Sequence, residues 1–299
     1  MVERIAYDEF SYFQDNASEY GIAYDGPPTV RREFVEVDAG RRLSALVWGD
    51  GAPELVLLHG GAQNAHTWDT VALALDRPLV AIDLPGHGHS DGGIQGSLNV
   101  QKNADDIAPA INALAPTPIP VVGMSLGGMT ALALTDQHPD LVERLALVDV
   151  TPGVDGVKAQ TIVAFIDGPE TFPSFEDLLA RTIEFNPTRT ESSLRRGILH
   201  NAVQQEDGTW VWRYRRFREE GEVGTHPDFT ERWEAVSRVA VPLMLVRGMR
   251  PQSVVDDADE AELIRRQPAA RIEHVEEAGH SVQGDTPVEL ATLLDDFIG

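Results

Sequence analysis

Six short apolar runs recur along the chain and limit its fold more than any other feature. They lie at 54–58 (ELVLL), 78–82 (PLVAI), 119–124 (IPVVGM), 144–150 (RLALVDV), 241–247 (VPLMLVR) and 271–276 (RIEHVE). Runs this short, rich in Val, Leu and Ile and closed by Gly, Asp or Pro, suit strands buried on both faces of a parallel sheet. Between them, helices are predicted at about 66–75, 98–114, 126–138, 256–267 and 287–298. Asp256 is placed to cap the fourth of these, with Asp259 and Glu260 in its first turns, where the helix dipole favours negative charge. Upstream, 33–37 and 42–48 alternate around Asp38-Ala39-Gly40 and read as a hairpin. The expected class is α/β: a mostly parallel central sheet with helices on both faces and an antiparallel hairpin at its first edge.

Residues 152–238 break this rhythm. They hold short helical pieces and the aromatic, Arg-rich stretch Trp210-Val211-Trp212-Arg213-Tyr214-Arg215-Arg216-Phe217. The predicted organisation is a core domain of 1–151 and 239–299, interrupted by a mostly helical cap, or lid, at 152–238. Such a cap would sit over the C-terminal edge of the sheet, where open α/β sheets bind ligands. Most of its aromatics are expected to form its own small core. At 299 residues and 42% hydrophobic composition the chain can bury a sizeable core.

Composition removes several function classes. A formal charge of −24 disfavours nucleic acid and anionic membrane as partners. The absence of cysteine excludes disulfides, thiolate nucleophiles and Cys-ligated zinc, and fits a cytoplasmic protein. No apolar run is long enough to span a membrane, and the first residues do not read as a secretory signal. Lysine occurs only at 102 and 158, as an Arg-rich coding bias with an ordinary acidic surface would give; adaptation to high salt is the other reading.

The sharpest chemical signal is Gly123-Met124-Ser125-Leu126-Gly127-Gly128, between an apolar strand and a helical run. G-x-S-x-G in that context is a nucleophile elbow. The serine sits on a strained turn whose neighbours two residues away must be small, and the helix beneath favours developing negative charge. An acyl-transfer serine also needs donors for an oxyanion. The backbone N–H of Leu126 is one; the other is assigned to Gly61, in the loop His59-Gly60-Gly61-Ala62. His59 is expected to hold that loop in shape.

Nine histidines compete for the role of general base. Chain order favours His280, in Ala278-Gly279-His280-Ser281 after the final strand. His274 lies within a strand pattern and His138 at a helix end before Pro139, so both read as structural. His200 and His226 fall in the inserted segment, within reach of a substrate there, but read more simply as solvated. His87 and His89 lie in the turn Asp83-Leu84-Pro85-Gly86-His87-Gly88-His89-Ser90 and read as scaffold, with no convergent third ligand for a metal.

The acid follows one of two strands. Arg247-Gly248-Met249-Arg250-Pro251-Gln252-Ser253 offers no carboxylate at its strand end, and Asp256 and Asp257 look like helix caps. Asp149 ends an otherwise apolar strand, where a lone carboxylate needs a partner; the imidazole N–H of His280 would supply one. Asp149 is the first choice, Asp256 the second and Asp257 the third.

Together these residues resemble the α/β-hydrolase superfamily, over nearly the whole chain from about residue 32. The markers are HGG at 59–61, DLPGHGHS at 83–90, GMSLG at 123–127 and GHS at 279–281. The stretch HGGAQNAHTWD at 59–69 is similar to one in small actinobacterial serine esterases. The resemblance also includes a branch whose acid follows the sixth strand, which supports Asp149. It implies a Ser-His-Asp hydrolase of small carboxylic esters needing no cofactor and no metal. Serine at 125 disfavours the members with an aspartate nucleophile. Carbon–carbon bond hydrolase, lactonase, thioesterase and perhydrolase chemistry remain open on the same triad, as does a non-catalytic ligand receptor. Oligomeric state and the packing of the first twenty or so residues are left open.

Overall fold

The apolar runs become strands because each side chain in them finds an apolar layer on its own side of the sheet. The computed structural model describes residues 4–38, 40–92, 99–214 and 229–299. The strands β1 (Val30–Asp38) and β2 (Arg41–Trp48) form the antiparallel hairpin, with Val35 opposite Leu43. Ala39 of its turn lies outside the described residues. The strands β3 (Leu55–Leu58), β4 (Leu79–Ile82), β5 (Ile119–Met124), β6 (Val142–Val148), β7 (Leu243–Gly248) and β8 (Arg271–Val275) follow. The sheet is eight-stranded, in the order β1-β2-β4-β3-β5-β6-β7-β8. Pairing is antiparallel from β1 to β2 and from β2 to β4, and parallel onward.

Alternate residues of one strand feed two cores, as the two-residue period of a strand requires. Val56, Leu58, Val80, Ile82 and Val121 pack with the helices Val100–Leu114 and Leu126–Gln137. Leu55, Leu57, Leu79, Ala81 and Val122 pack on the other face with the helices Asp69–Leu75 and Pro287–Ile298. All four residues of β3 are fully buried, so truncating Leu57 to Ala would cost about 2–5 kcal/mol. The helix Asp257–Arg266 starts at an Asp256 cap, closed by a reciprocal bond from the backbone of Asp256 to the side chain of Asp259.

Chain order positions the functional edge. After β3 the chain moves to β4 on one side, then crosses back to β5 on the other. The loops leaving the C-terminal ends of β3 and β5 therefore diverge and open a crevice, the switch point at which α/β sheets take ligands.

Between β6 and β7 the chain makes helices at Gln160–Ile166, Phe175–Phe185 and Glu191–Asn201. It also makes a small antiparallel sheet of Thr171–Phe172, Trp210–Trp212 and Ala202–Gln204, so part of the aromatic stretch is a strand. Phe172, Phe175, Leu178, Leu194, Ile198 and Trp210 form a separate apolar cluster there. Residues 215–217 of that stretch, and His226, lie outside the described residues. The helix Trp233–Arg238, inside the range assigned to the insertion, packs with the main core instead: Val236 is fully buried in the cluster that holds Leu132. At the N-terminus the helix Phe13–Tyr20 docks on the sheet, with Phe13 edge-on to Trp48 at 5.0 Å between ring centroids. No helix among the described residues is long and apolar enough to cross a membrane.

Candidate active site

Ser125 stands between β5 and the helix Leu126–Gln137 with φ 51° and ψ −120°, a conformation L-residues avoid. Three glycines make it possible. A Cβ on Gly123 would lie 2.3 Å from the carbonyl oxygen of Gly127, and one on Gly127 would lie 2.2 Å from that of Leu58. On Gly128 it would meet Val150 Cγ1 at 2.4 Å. The spacing of the motif thus reflects how closely the helix must pass over β5 and β3. The N–H of Ser125 donates to the carbonyl of Val148 at 3.3 Å, so its backbone sits directly beside the last residue of β6.

The next residue on that strand is Asp149, fully buried and itself at φ 45°. Its Oδ2 lies 2.9 Å from Nδ1 of His280, across 131 positions of sequence. Three further donors hold the carboxylate: Gly248 N–H at 3.0 Å and Ser253 Oγ at 2.6 Å on Oδ1, and Val254 N–H at 3.1 Å on Oδ2. A carboxylate this buried needs such partners to replace the hydration it has lost. The loop after β7 has no carboxylate at its start; its Ser253 and Val254, with Gly248 at the end of β7, supply donors to Asp149 instead. Asp256 is elsewhere engaged, capping its helix and paired with Lys158 at 2.9 Å. Asp257 pairs with Arg247 at 2.8 Å. The His280 side chain retains 12% exposure, enough to meet a ligand at its other nitrogen.

The loop after β3 approaches from the opposite side. A Cβ on Gly60 would come within 3.3 Å of Ser125 Cβ, and one on Gly61 within 4.0 Å of Leu126 Cδ2. The N–H of Gly60 is taken by Gln63 Oε1 at 3.1 Å, and that of Ala62 by His87 Nε2 at 3.2 Å. Among the N–H groups of 60–62 this leaves that of Gly61 for a ligand. The Leu126 N–H opens its helix and has no acceptor within it. His59 is fully buried, with Nδ1 2.7 Å from the carbonyl of Gly60 and Nε2 accepting from Leu84 N–H at 2.9 Å, the structural role expected of it. His87 hydrogen-bonds Pro85 O through Nδ1, so both histidines tie the 83–90 turn to this loop. Burial, reinforced by the neighbouring His59, pushes His87 down to about 3, which keeps its Nε2 free to accept.

His274 and His138 take structural partners, Glu260 at 2.8 Å and Asp105 at 2.9 Å. His200 differs from its expected solvated state: it is 5% exposed, against Tyr7, Tyr12 and His66. A cavity of about 150 Å³ lies beside this region, lined by Ala62, Gln63, Phe165, Trp212 and Ser281 among others. Ser125 does not line it; the cavity begins one residue from Gly61 and one from His280. Across it, Asn201 Nδ2 donates to the carbonyl of Ala62 at 2.6 Å, and Asn64 Nδ2 to that of His200 at 3.1 Å. These two contacts clasp the inserted segment to the loop that carries Gly61, and sequence patterns contain no sign of them.

Fold and site define an α/β hydrolase, and residues 55–293 match the model of the alpha/beta hydrolase family. The chain belongs to that family. It is 45% identical to the esterase Rv0045c of Mycobacterium tuberculosis over 295 residues, 96% of this chain and 94% of that one. A crystal structure of that esterase superposes with TM-score 0.83 at 42% identity, covering 99% of both chains. A second structure of it, from work on its transition metal inhibition, gives TM-score 0.85 at 41% identity, covering 98% of this chain and 99% of that one. The chain is also 28% identical to an sn-1-specific diacylglycerol lipase, ABHD11 of Xenopus laevis, over 82% of this chain and 80% of that one.

Proposed function

We propose that this protein is a serine esterase acting on small carboxylic esters, with Ser125 as nucleophile, His280 as base and Asp149 as the acid that orients it. The observation that carries the reading is the buried Asp149–His280 pair, whose aspartate follows the residue that accepts the backbone N–H of the strained Ser125. The likeness to a mycobacterial esterase over nearly its full length supports ester chemistry.

In this mechanism Nε2 of His280 takes the Ser125 proton as Oγ attacks the ester carbonyl. The new oxyanion is held by the N–H groups of Gly61 and Leu126, which point at charge that exists only in the transition state. The imidazolium, stabilised by Asp149, protonates the departing alcohol. Water then attacks the acyl-enzyme by the same proton path in reverse, releasing the acid and restoring the serine. Residues 152–238 act as a cap in which the helices and small sheet frame the acyl pocket, while Trp233–Arg238 anchors its return to the core.

A p-nitrophenyl ester series from acetate to long acyl chains tests the reading. Turnover of short chains by the wild type and its loss in Ser125→Ala is the expected result. A wild type inert on every ester overturns it.

A further inference from the structure

Outside the Ser125 site, the described residues bring two imidazoles and a carboxylate together at full burial. His66 Nδ1 lies 2.9 Å from Asp69 Oδ2, and His200 Nε2 lies 3.8 Å from the same oxygen. One ligand atom from each residue falls within 4.8 Å of the others. The three are 7%, 1% and 5% exposed, yet His200 Nε2 and Asp69 Oδ1 have no hydrogen-bond partner among the described residues. Buried polar atoms left unpaired cost free energy, and an ion held between the two imidazoles and the carboxylate would satisfy them.

The outward nitrogens of both rings are already anchored. His66 Nε2 lies 3.2 Å from Glu9 Oε2 and 3.2 Å from Nη2 of Arg32, whose charge is met by Glu9 and Asp83, and His200 Nδ1 lies 2.9 Å from the Tyr7 hydroxyl. His66 Nδ1 shares a proton with Asp69 Oδ2; once that proton leaves, and with a proton on His200 Nδ1 towards Tyr7, the lone pairs of His66 Nδ1 and His200 Nε2 both face Asp69. A carboxylate or hydroxyl behind each histidine is the arrangement that fixes tautomer and ring orientation in metal sites. Metal–ligand distances of about 2 Å place tetrahedral ligand atoms about 3.3 Å apart, between the two separations observed. The imidazoles stack at 3.9 Å between centroids, and ligation tilts them towards a common point.

We propose that His66, Asp69 and His200 form a binding site for one divalent transition-metal ion of the zinc class. Two imidazole nitrogens select such an ion over magnesium or calcium, which prefer all-oxygen sets. His66 and His200 both line the cavity beside the site, which gives the ion a route in and a place for water as a further ligand. On binding, the ion takes the place of the proton that His66 Nδ1 shares with Asp69, and that proton leaves to solvent. The ion would join three parts of the chain that are distant in sequence: the turn before the helix Asp69–Leu75, the end of the helix Glu191–Asn201 and, through Tyr7 and Glu9, the N-terminal segment. The site is separate from the Ser125 chemistry and stands whether or not that chemistry is as proposed.

The test is equilibrium dialysis of chelator-stripped full-length protein against Zn2+, with Co2+ absorption to report nitrogen–oxygen coordination. The expected result is one equivalent of Zn2+ in the wild type and none retained at that affinity by His200→Gln. Tyr7→Phe, which removes only the support behind His200, should bind about 10–100-fold more weakly while keeping the wild-type far-ultraviolet circular dichroism. His138→Ala, an exposed histidine away from the cluster, should bind as the wild type does. A wild type that retains no Zn2+ overturns the proposal, as does wild-type binding by His200→Gln.

Discussion

The hydroxyl of Ser253 donates to Oδ1 of Asp149 at 2.6 Å, joining the loop after β7 to the carboxylate at the end of β6. Ser253→Ala leaves that oxygen with the Gly248 N–H alone. A hydrogen bond to a buried charge contributes about 1.5–3 kcal/mol, so the urea midpoint should fall by an equivalent amount. Ester turnover should fall with it, since Asp149 is then held less firmly against His280.

Asp149→Asn and Asp256→Asn separate the two candidate acids. The first leaves His280 facing an amide and should lower kcat about 10⁴-fold, as acid loss does in other triads. The second touches only a helix cap and its Lys158 pair, so activity should stay near wild type and stability should fall by at most about 2 kcal/mol. Steady-state kinetics with a p-nitrophenyl ester, alongside urea melts, reads both.

Glycine positions near the elbow should respond in opposite ways. Gly127→Ala forces a methyl to within 2.2 Å of a backbone oxygen, and should yield protein that fails to fold or has lost its elbow. Gly61→Ala meets nothing closer than 3.9 Å and should give soluble, folded protein. Expression yield and near-ultraviolet circular dichroism distinguish them.

His87 carries a pH signature. Its folded pKa is depressed to about 3 from an ordinary 6.5, chiefly by burial. Between those values the unfolded chain binds a proton that the folded chain refuses, so the contribution of His87 to stability is present above the upper value and is lost as pH falls towards the lower. His89, lowered to about 4, acts in the same direction. Urea midpoints at about pH 7.5 and about pH 5 should drop for the wild type, and drop less for His87→Gln. An equal drop in both would show that His87 does not set the slope.

The strands were legible because burial on both faces leaves an unbroken apolar run; β5 spans the expected 119–124. The strained turn at Ser125 was legible because sterics impose its spacing, and the loop that brings His280 to Asp149 because chain order places it after the last strand. The helix Phe13–Tyr20 was not, since only Phe13, Asn16 and Ala17 of it are buried and the remainder is polar. Strands as short as Thr171–Phe172 carry too few residues to show a two-residue period. The donors on Asp149 and the partners of His200 come from segments distant in sequence, where no local pattern records them. His200 was therefore expected to be solvated although it is buried.

The Asn201–Ala62 and Asn64–His200 contacts make the inserted segment and the Gly61 loop a single mechanical unit. On the proposed reading, substrate selection and rate are then coupled in this scaffold. A change in the segment that admits a bulkier acyl group would be expected to move the Gly61 loop as well. Variants selected for altered chain-length preference should therefore cluster along a trade-off between selectivity and turnover, and escape from it should require compensating changes at 62, 64 or 201.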